Sequence, residues 1–369
     1  MRLALRELRR RPGRFIVATA LLTLVALLLL LLGGLLDGLV RRQTGAIMAQ
    51  RADAVVYSVT SEQSFLRSRV DASVRAKLAG ADGVSAVGGL GVVQLGGRVP
   101  GRGSRDLIDV ALFGYELAPR GVPDAPPADG EGYGDAVLRD LGVRDGMTIT
   151  LGPARTPIKI VGFVGDARYE GQASVWASPA TWRMVASANR PSERLGDGVF
   201  QAFVVRGSGG AALPARLDAA TAGTTKSLTI AAAADAQPGV KQQKATFTQI
   251  IGVTLAIATV VVALFFALLT VERAGLYGVL KAIGASTRTL FAGIIGQAVA
   301  VTALAAVIAG VVAVMFGAVI PADGVPFTLY ASRLVGSVVA LIVASVVGCA
   351  FSLRRVLRVD PASAIGSSS

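Results

Sequence analysis

The amino-acid sequence predicts a membrane α-helical protein with four transmembrane helices, both termini inside, and an α+β extracytoplasmic domain between the first and second spans. Of the 369 residues, 53% are hydrophobic and the mean hydropathy is +0.59, which is too apolar for an ordinary soluble protein of this size. The sequence also contains four apolar runs, each long enough to cross a ~30 Å hydrocarbon core at ~1.5 Å per helical residue.

The charge distribution gives the orientation of these spans. The formal net charge is +13, and most of the excess lies in residues 1–14, 272–289 and 354–369, which flank the apolar runs. Basic residues favour the cytoplasmic side of a membrane, so both termini and the segment 272–289, which connects two apolar runs, are expected there. The same placement argues against nucleic acid as a partner, because such binding needs a basic patch on one face of a folded domain.

Residue types that carry common chemistry are scarce. Histidine is absent, and Cys349 is the one cysteine and lies within an apolar run. This composition removes Ser-His and Cys-His nucleophile pairs, the usual zinc ligand and any disulfide framework. The outer segment contains neither G-x-S-x-G nor S-x-x-K, so we expect no catalytic residues, no metal site and no enzymatic activity.

The amino-terminal segment predicts a surface helix followed by a span. Residues 1–14 form a basic amphipathic pattern that ends at Pro12-Gly13, and residues 15–42 form the first transmembrane segment. A cleavable signal peptide is the alternative, but its apolar region is ~7–15 residues and ends in a small-residue cleavage site. This run is longer and continues into Arg41 and Arg42 without such a site, which favours a retained helix.

Residues 43–245 have the mixed pattern of an α+β domain. Strands are predicted over residues 54–59 and 107–113, a helix over 71–78, and a helix–strand–strand unit over 134–164. Residues 122–134 are expected to be a Pro/Gly/Asp-rich loop. The glycine cluster GGLGVVQLGG at 88–97 matches a dinucleotide fingerprint only loosely, so a glycine-rich turn is favoured.

The carboxy-terminal third returns to the membrane. Asp37 is placed at the outer boundary of the first span as a hydrated carboxylate, and Gln297 in the third span as an interhelical hydrogen-bonding group. The segments predicted after the outer domain are span two at 246–271, a cytoplasmic loop at 272–289, span three at 290–320, an outer loop at 321–333, span four at 334–353 and a cytoplasmic tail at 354–369.

The loop at 272–289 predicts a partner. Its apolar residues Leu276, Val279, Leu280 and Ile283 recur at helical spacing, so a short amphipathic helix is expected at the inner face. A nucleotide-binding G-x-x-x-x-G-K-[ST] loop is missing from the chain, because Lys281 precedes the second glycine of the only similar run. A nucleotide-driven protein of this kind therefore depends on a separate ATPase.

The sequence ERAGLYGVLKAIGA begins with Glu272-Arg273 and from Tyr277 onward resembles the pattern [IF]-G-[VIL]-L-[KR]-A-[IL]-G-A of permease subunits of FtsX/MacB-like (type VII) ABC transporters, with Tyr277 as a mild departure. The segments GDAVLRDLGVRDGMTITL, PIKIVGFV and RRVLRVDPASAI are also similar to that family. The resemblance implies a coupling helix that contacts the ATPase through Glu272, Arg273, Gly275, Gly278, Leu280, Lys281, Ala282, Ile283, Gly284 and Ala285.

This resemblance implies a bacterial plasma-membrane complex. Two permease copies, expected as a homodimer surrounded by membrane lipid, would pair with two cytoplasmic ATPase copies that bind ATP and Mg²⁺, and this chain itself would hold no cofactor. The complex would move an amphipathic substrate, such as haem, lipid or a hydrophobic drug, from the outer leaflet outward by mechanotransmission. The alternative is a non-transporting mechanotransmitter that regulates an extracytoplasmic cell-wall hydrolase or sensor.

The length and modest outer domain resemble haem-efflux (HrtB-like) permeases as much as antibiotic exporters. Candidate substrate-contacting residues lie near the outer ends of the first two spans: Asp37, Arg41, Met48, Tyr57 and Phe247. Without histidine, ligation of haem as a substrate would fall to Met48, Tyr57 or another oxygen or sulfur donor.

Overall fold

The computed structural model describes residues 12–103, 105–165, 167–193, 195–272, 279, 283, 286–320 and 324–356. The chain divides into two compact units. The membrane unit comprises residues up to 38, 244–321 and 327 onward, and the outer unit comprises residues 39–243 and 322–326. The amphipathic helix predicted for residues 1–14 and the tail after residue 356 lie outside the described residues, apart from residues 12–14 at the start of the first helix.

The first helix, α1, runs from Pro12 to Met48 and continues beyond residue 42, where the first span was predicted to end. It continues because Gln43–Met48 contains no helix-breaking proline, and Thr44 donates its hydroxyl to the carbonyl of Val40. Gly45 is needed near the end of α1, since a Cβ there would come within 3.1 Å of the Arg168 backbone.

The outer unit is an α+β domain built on nine strands within the described residues. Its elements in chain order are β1 (Ala54–Ser58), α2 (Ala72–Ala79), β2 (Val84–Arg98), β3 (Ile108–Tyr115), β4 (Glu131–Asp135), α3 (Val137–Asp140), β5 (Thr148–Leu151), β6 (Thr156–Val164), β7 (Ala173–Ala177), α4 (Pro179–Asn189), β8 (Ala202–Gly207), α5 (Leu213–Ala220), β9 (Thr225–Thr229) and α6 (Ile230–Asp235).

The sheet is organised around the long strand β2. Strand order is β3-β7-β4-β6-β5-β2-β8-β1-β9, and β2 also pairs with β3, so six of the strands form a closed circuit of hydrogen-bonded neighbours. The pairs β3–β7 and β4–β6 are parallel, and the others are antiparallel. Two buried clusters of apolar side chains form the core of this unit.

The local predictions for this unit are largely confirmed. The structure contains the two strands predicted at 54–59 and 107–113, which are β1 and β3, and the helix predicted at 71–78, which is α2. The helix–strand–strand unit predicted at 134–164 is α3, β5 and β6. The loop predicted at 122–134 ends earlier, because β4 begins at Glu131 and pairs with both β6 and β7.

The prediction of a glycine-rich turn at residues 88–97 is wrong, because this segment is the middle of β2. Its glycines provide flat backbone against which large side chains pack. A Cβ on Gly91 would lie 2.2 Å from the Trp182 ring, and one on Gly89 would lie 2.5 Å from the Phe200 ring. Both rings are buried and stack on each other at 5.8 Å between centroids.

Strand β9 ends the sheet, with β1 as its neighbour. The backbone N–H of Ser227 on β9 donates to Asp218 Oδ1 of α5 at 2.7 Å. Lys226, next to it, is exposed. The backbone of this edge strand is therefore partly satisfied by a side chain from the preceding helix.

Three further long helices complete the membrane unit: α7 (Val240–Glu272), α8 (Thr287–Val319) and α9 (Ala331–Val356). Together with α1, they are long and apolar enough to cross a membrane. Thr302 of α8 donates to Ser345 Oγ of α9 at 2.9 Å, and Gln297 is also buried. The predicted fold class, four membrane helices with an α+β domain between the first two, is confirmed.

Candidate functional site

An ion pair joins α1 to the first turn of α9. Arg333 donates from Nε to Asp37 Oδ2 at 2.9 Å and from Nη2 to Oδ1 at 2.5 Å, so the guanidinium and carboxylate meet in a bidentate arrangement. The Asp37 side chain is 13% exposed and that of Arg333 is 33% exposed. A paired charge within a membrane helix is uncommon and marks a functional-site hypothesis, because an ionised group in an apolar medium needs a partner.

Two adjacent glycines on α1 make room for this pair. A Cβ on Gly33 would lie 2.8 Å from Arg333 Cδ, so the arginine stem packs directly on the α1 backbone. A Cβ on Gly34 would lie 2.3 Å from the Phe327 ring, and the Thr328 N–H donates to the Gly34 carbonyl at 2.9 Å. The segment before α9 is thereby fixed against α1, which positions Arg333.

The ion pair lies at one end of a cleft of about 370 Å³ within the membrane unit. Helix α9 lines it with Arg333, Gly336, Ser337 and Ala340, which recur at helical spacing on one face. The remaining lining residues are Leu29 and Asp37 of α1, Ile251 and Leu255 of α7, Ser332 of α9 and Tyr330 just before it.

The cleft has a polar end and an apolar end. Leu29 lies two turns before Asp37 on α1, about 12 Å along the helix axis, and Ala340 lies about 10 Å beyond Arg333 on α9. Tyr330 and Ser332 lie just before Arg333 in sequence, and Ser337 lies one helical turn beyond it. Such a cleft matches a molecule with a polar head and an apolar body.

Small side chains on α9 keep the cleft open. Gly336 lines the cleft, and a Cβ added there would meet no other atom within 4 Å. The space beside Gly336 is therefore empty volume rather than a packed glycine contact, and a larger side chain at this position would project into the cleft.

The other residues predicted to contact substrate do not line this cleft. Phe247 is half-buried on α7 in the membrane unit. Arg41 and Met48 belong to the outer unit, near the end of α1, where Met48 is 45% exposed. Of the predicted set, the structure places Asp37 alone in the cleft.

Tyr57 is a core residue of the outer unit. Its side chain is fully buried, and its ring meets the Phe65 ring edge-on at 5.1 Å between centroids. Phe65 in turn contacts Tyr169, and Tyr169 contacts Phe113, so Tyr57 belongs to a continuous aromatic cluster. Burial raises the pKa of Tyr57 well above its usual range. Deprotonation of Tyr57 to give a phenolate ligand is therefore unfavourable.

The predicted coupling segment is described only in part. Val279 and Ile283 are 57% and 78% exposed, and the Ile283 N–H donates to the Val279 carbonyl at 3.1 Å, which is the spacing of one α-helical turn. Glu272 is exposed at the end of α7. The predicted coupling residues Arg273, Gly275, Gly278, Leu280, Lys281, Ala282, Gly284 and Ala285 lie outside the described residues.

Sequence reasoning missed Arg333, which it assigned to the outer loop. The available signal was a single basic residue in the first turn of an apolar helix, on the outer side of the membrane. Basic residues usually concentrate on the cytoplasmic side, so this position is unusual. Such a residue favours a carboxylate partner in another span, and Asp37 was the acidic residue already singled out.

Comparison with known proteins identifies the membrane part of the chain. Residues 249–361 match the family model described as FtsX-like permease C-terminal. The HrtB permease of a hemin transport system from Staphylococcus haemolyticus is 31% identical over 110 residues, which is 30% of this chain and 31% of that protein. An uncharacterized ABC transporter permease of Mycobacterium tuberculosis is 36% identical over 111 residues, again 30% of this chain and 31% of that protein.

The chain thus spans about a third of the length of the curated relatives it matches. Among solved structures, the periplasmic region of MacB from Actinobacillus actinomycetemcomitans is similar with a TM-score of 0.34 and 9% identity, covering 50% of this chain and 91% of that one. The extracellular domain of the transporter YknZ from Gram-positive bacteria gives a TM-score of 0.32 and 12% identity, covering 48% of this chain and 99% of that one. Both TM-scores are low, and neither likeness carries the assignment.

The predicted resemblance to permeases of the FtsX/MacB-like group is confirmed over residues 249–361, and the relatives matched there are named as transport permeases. The four spans and this match also place the protein in the plasma membrane, with the large domain outside. Over residues 249–361, the chain is thus similar to the carboxy-terminal part of FtsX-like permeases.

Proposed function

We propose that this chain is the permease subunit of an ATP-driven export complex that moves an amphipathic substrate from the outer leaflet outward. The observation that carries the proposal is the FtsX-like match over residues 249–361, which includes α8, α9 and the segment between α7 and α8. The cleft beside Asp37 supports it, because its polar and apolar ends suit an amphipathic molecule.

A separate cytoplasmic ATPase, present in two copies, would bind ATP and Mg²⁺ and drive the cycle. Val279 and Ile283 form an exposed apolar pair one helical turn apart, which is the arrangement that a groove on a partner protein accepts. In this scheme, the segment around that turn is the coupling helix.

A second permease copy would complete the substrate route. Four helices make too small a bundle to enclose a path for a bulky molecule, and much of their apolar surface is exposed, including Val311, Val314 and Met315 of α8. That surface would face lipid or the second copy, and a homodimer is the arrangement we propose.

The direct test is reconstitution. The permease and its ATPase would be placed together in proteoliposomes, and ATP hydrolysis and movement of a fluorescent amphiphile would be measured. Stable assembly with substrate-stimulated hydrolysis is the expected result. Hydrolysis that never responds to the permease would contradict the proposal.

Haem is a specific candidate substrate, because three staphylococcal relatives are named as HrtB permeases of hemin transport systems. Met48 is the exposed candidate ligand, whereas Tyr57 is enclosed in the outer unit. A haem titration of the purified protein should shift the Soret band, and Met48→Ala should reduce that shift. The absence of any shift in the unaltered protein would remove haem from consideration.

Mechanotransmission without transport is the second candidate. The outer unit has an open depression of about 600 Å³ lined by Arg51, Arg120 and Arg206 and by one carboxylate, Asp53. Its excess of positive charge would suit an acidic surface of an extracytoplasmic partner such as a cell-wall hydrolase or sensor. Co-purification of a stable outer partner, together with hydrolysis that no amphiphile stimulates, would favour this function over export.

A further inference from the structure

We propose that the cleft beside Asp37 and Arg333 binds amphiphiles with an anionic head, a carboxylate or a phosphate, in preference to uncharged ones. This inference rests on the proposed export function and specifies its substrate class. It assigns head-group recognition to Arg333, with the apolar body of the ligand lying between α1, α7 and α9.

The first step is the count of donors and acceptors around the polar end. Arg333 has five N–H groups, and the bidentate contact with Asp37 uses two of them. Tyr330, Ser332 and Ser337 add three hydroxyls. Asp37 is the one carboxylate among the residues that line the cleft, and each of its oxygens accepts one hydrogen bond from Arg333.

The second step is what these groups select. The three Arg333 N–H groups that Asp37 does not use can donate only, so a head group with acceptor oxygens is a suitable partner for them. Hydrogen bonds from a guanidinium to a carboxylate or phosphate are charge-assisted, and they are about twice as strong as those between neutral groups.

The third step is the fit of the apolar body. Leu29 is 3% exposed, and Ile251 and Leu255 are partly exposed where they line the cleft. A cleft of about 370 Å³ is at the small end of the ~300–1,000 Å³ range of ligand pockets. It suits a head group with the upper part of one apolar chain, and the rest of the chain would extend along the helices.

The experiment measures binding to the full-length permease in nanodiscs, with empty nanodiscs subtracted. The probe is dansylaminoundecanoic acid, and the comparison is its methyl ester, which has the same chain without the charge. We expect the acid to bind roughly tenfold more tightly, because one charge-assisted hydrogen bond contributes about that factor. Equal affinities would overturn the proposal.

Two variants locate the site. Gly336→Leu fills the cleft without a clash at its Cβ and should weaken acid binding roughly tenfold, whereas the matched change Gly296→Leu on α8, which also meets open space, should leave it unchanged. Asp37→Asn combined with Arg333→Gln removes the charges together and should abolish the preference for acid over ester. Arg333→Lys keeps the positive charge and should retain that preference in part. This variant therefore distinguishes an effect of charge from an effect of misfolding.

Failure of this inference is distinguishable from failure of the proposed function. The binding assay needs neither ATPase nor nucleotide. If Gly336→Leu and Gly296→Leu bind the acid equally, the cleft is not the site, whatever the transport result. If the acid binds as expected but ATP hydrolysis never couples to the permease, the export function fails and the binding site stands.

Discussion

Arg333 and Asp37 are 296 residues apart in sequence, yet they form a bidentate contact with N–O distances of 2.9 and 2.5 Å. The pair ties the first membrane helix to the last. Since Arg333 packs on Gly33, the contact depends on backbone proximity as well as on charge.

Asp37→Asn is expected to lower the free energy of unfolding by about 1–3 kcal/mol, because it removes the charged acceptor and leaves the partly buried Arg333 opposite a neutral amide. Partial exposure of the arginine keeps this below the cost of breaking a fully buried pair. Thermal unfolding in nanodiscs provides the measurement. The control is Asp124→Asn, which breaks an exposed pair with Arg51 and should cost less than about 1 kcal/mol. Equal shifts for both variants would contradict a structural role for Asp37.

Gly348→Ala should destabilise the helix bundle. A Cβ on Gly348 would lie 2.5 Å from the carbonyl oxygen of Thr259 on α7, a clash with backbone that cannot rotate away. We expect a loss of about 1–3 kcal/mol. Gly293→Ala is the matched change on α8, where a Cβ meets open space, and it should instead stabilise the helix by about 0.5–1 kcal/mol. A lower unfolding temperature for Gly348→Ala and a higher one for Gly293→Ala would support the close approach of α9 to α7. A change in the same direction for both variants would refute it.

Gly91→Ala should destabilise the outer unit by about 1–3 kcal/mol, because the added methyl group meets the buried Trp182 ring at 2.2 Å. Tryptophan fluorescence follows this unit alone, since the chain has two tryptophans and both are buried there. Gly103→Ala, at a site with open space around it, is the control and should leave the unfolding midpoint unchanged.

Ile283→Glu should weaken the proposed ATPase contact by roughly tenfold or more, because a charge would replace an exposed apolar anchor of the coupling turn. Ile283→Leu keeps the apolar surface and should retain coupling. Bulky charged replacements of Leu280 or Gly284 should act like Ile283→Glu. Coupled ATP hydrolysis in proteoliposomes distinguishes these variants, and normal coupling in Ile283→Glu would rule out this assignment.

The outer unit should lose stability at alkaline pH. Burial raises the pKa of Tyr57 and Tyr169, and desolvation likewise raises that of Tyr115, so the folded state keeps these phenols protonated. The unfolded chain releases its tyrosine protons near pH 10 and then binds fewer protons than the folded one, so stability is complete below about pH 10 and falls above it. Phenolate absorbance should show these groups ionising only as tryptophan fluorescence reports unfolding. Ionisation of all tyrosines before unfolding would contradict this burial.

The membrane helices were predictable because a long apolar run without charges is poorly accommodated in water, and a helix across the hydrocarbon core both buries its side chains and satisfies its backbone. The limits of α1 were less clear, since Gln43–Met48 is polar enough to suggest a loop and continues as helix through local hydrogen bonds. Most outer strands followed from alternation. The middle of β2 did not, because its glycines face Trp182 and Phe200, which are far along the chain.

Of the ion pair in the cleft, Asp37 was predictable from the sequence and Arg333 was not. Asp37 stands out in an apolar helix, but its partner is fixed by the packing of Phe327 and Arg333 on Gly33 and Gly34, a tertiary contact without a local pattern. Tyr57 was selected for its oxygen and its place near a span, yet alternation along β1 buries it in the aromatic cluster. Proximity in sequence to a membrane helix is therefore a weak guide to which side chains face a ligand.

The edge strand β9 bears on whether the outer domain can pair with another chain. A strand with unpaired backbone groups is a template for another chain, and a domain outside the membrane meets unfolded and partly folded proteins without cytoplasmic chaperones. Six strands of this sheet are closed into a circuit, and the Ser227 N–H on β9 is occupied by Asp218 beside the charged Lys226. One backbone donor of the edge is therefore occupied, so strand addition at β9, by another copy or by a partner, is expected to be less favourable than at a bare edge.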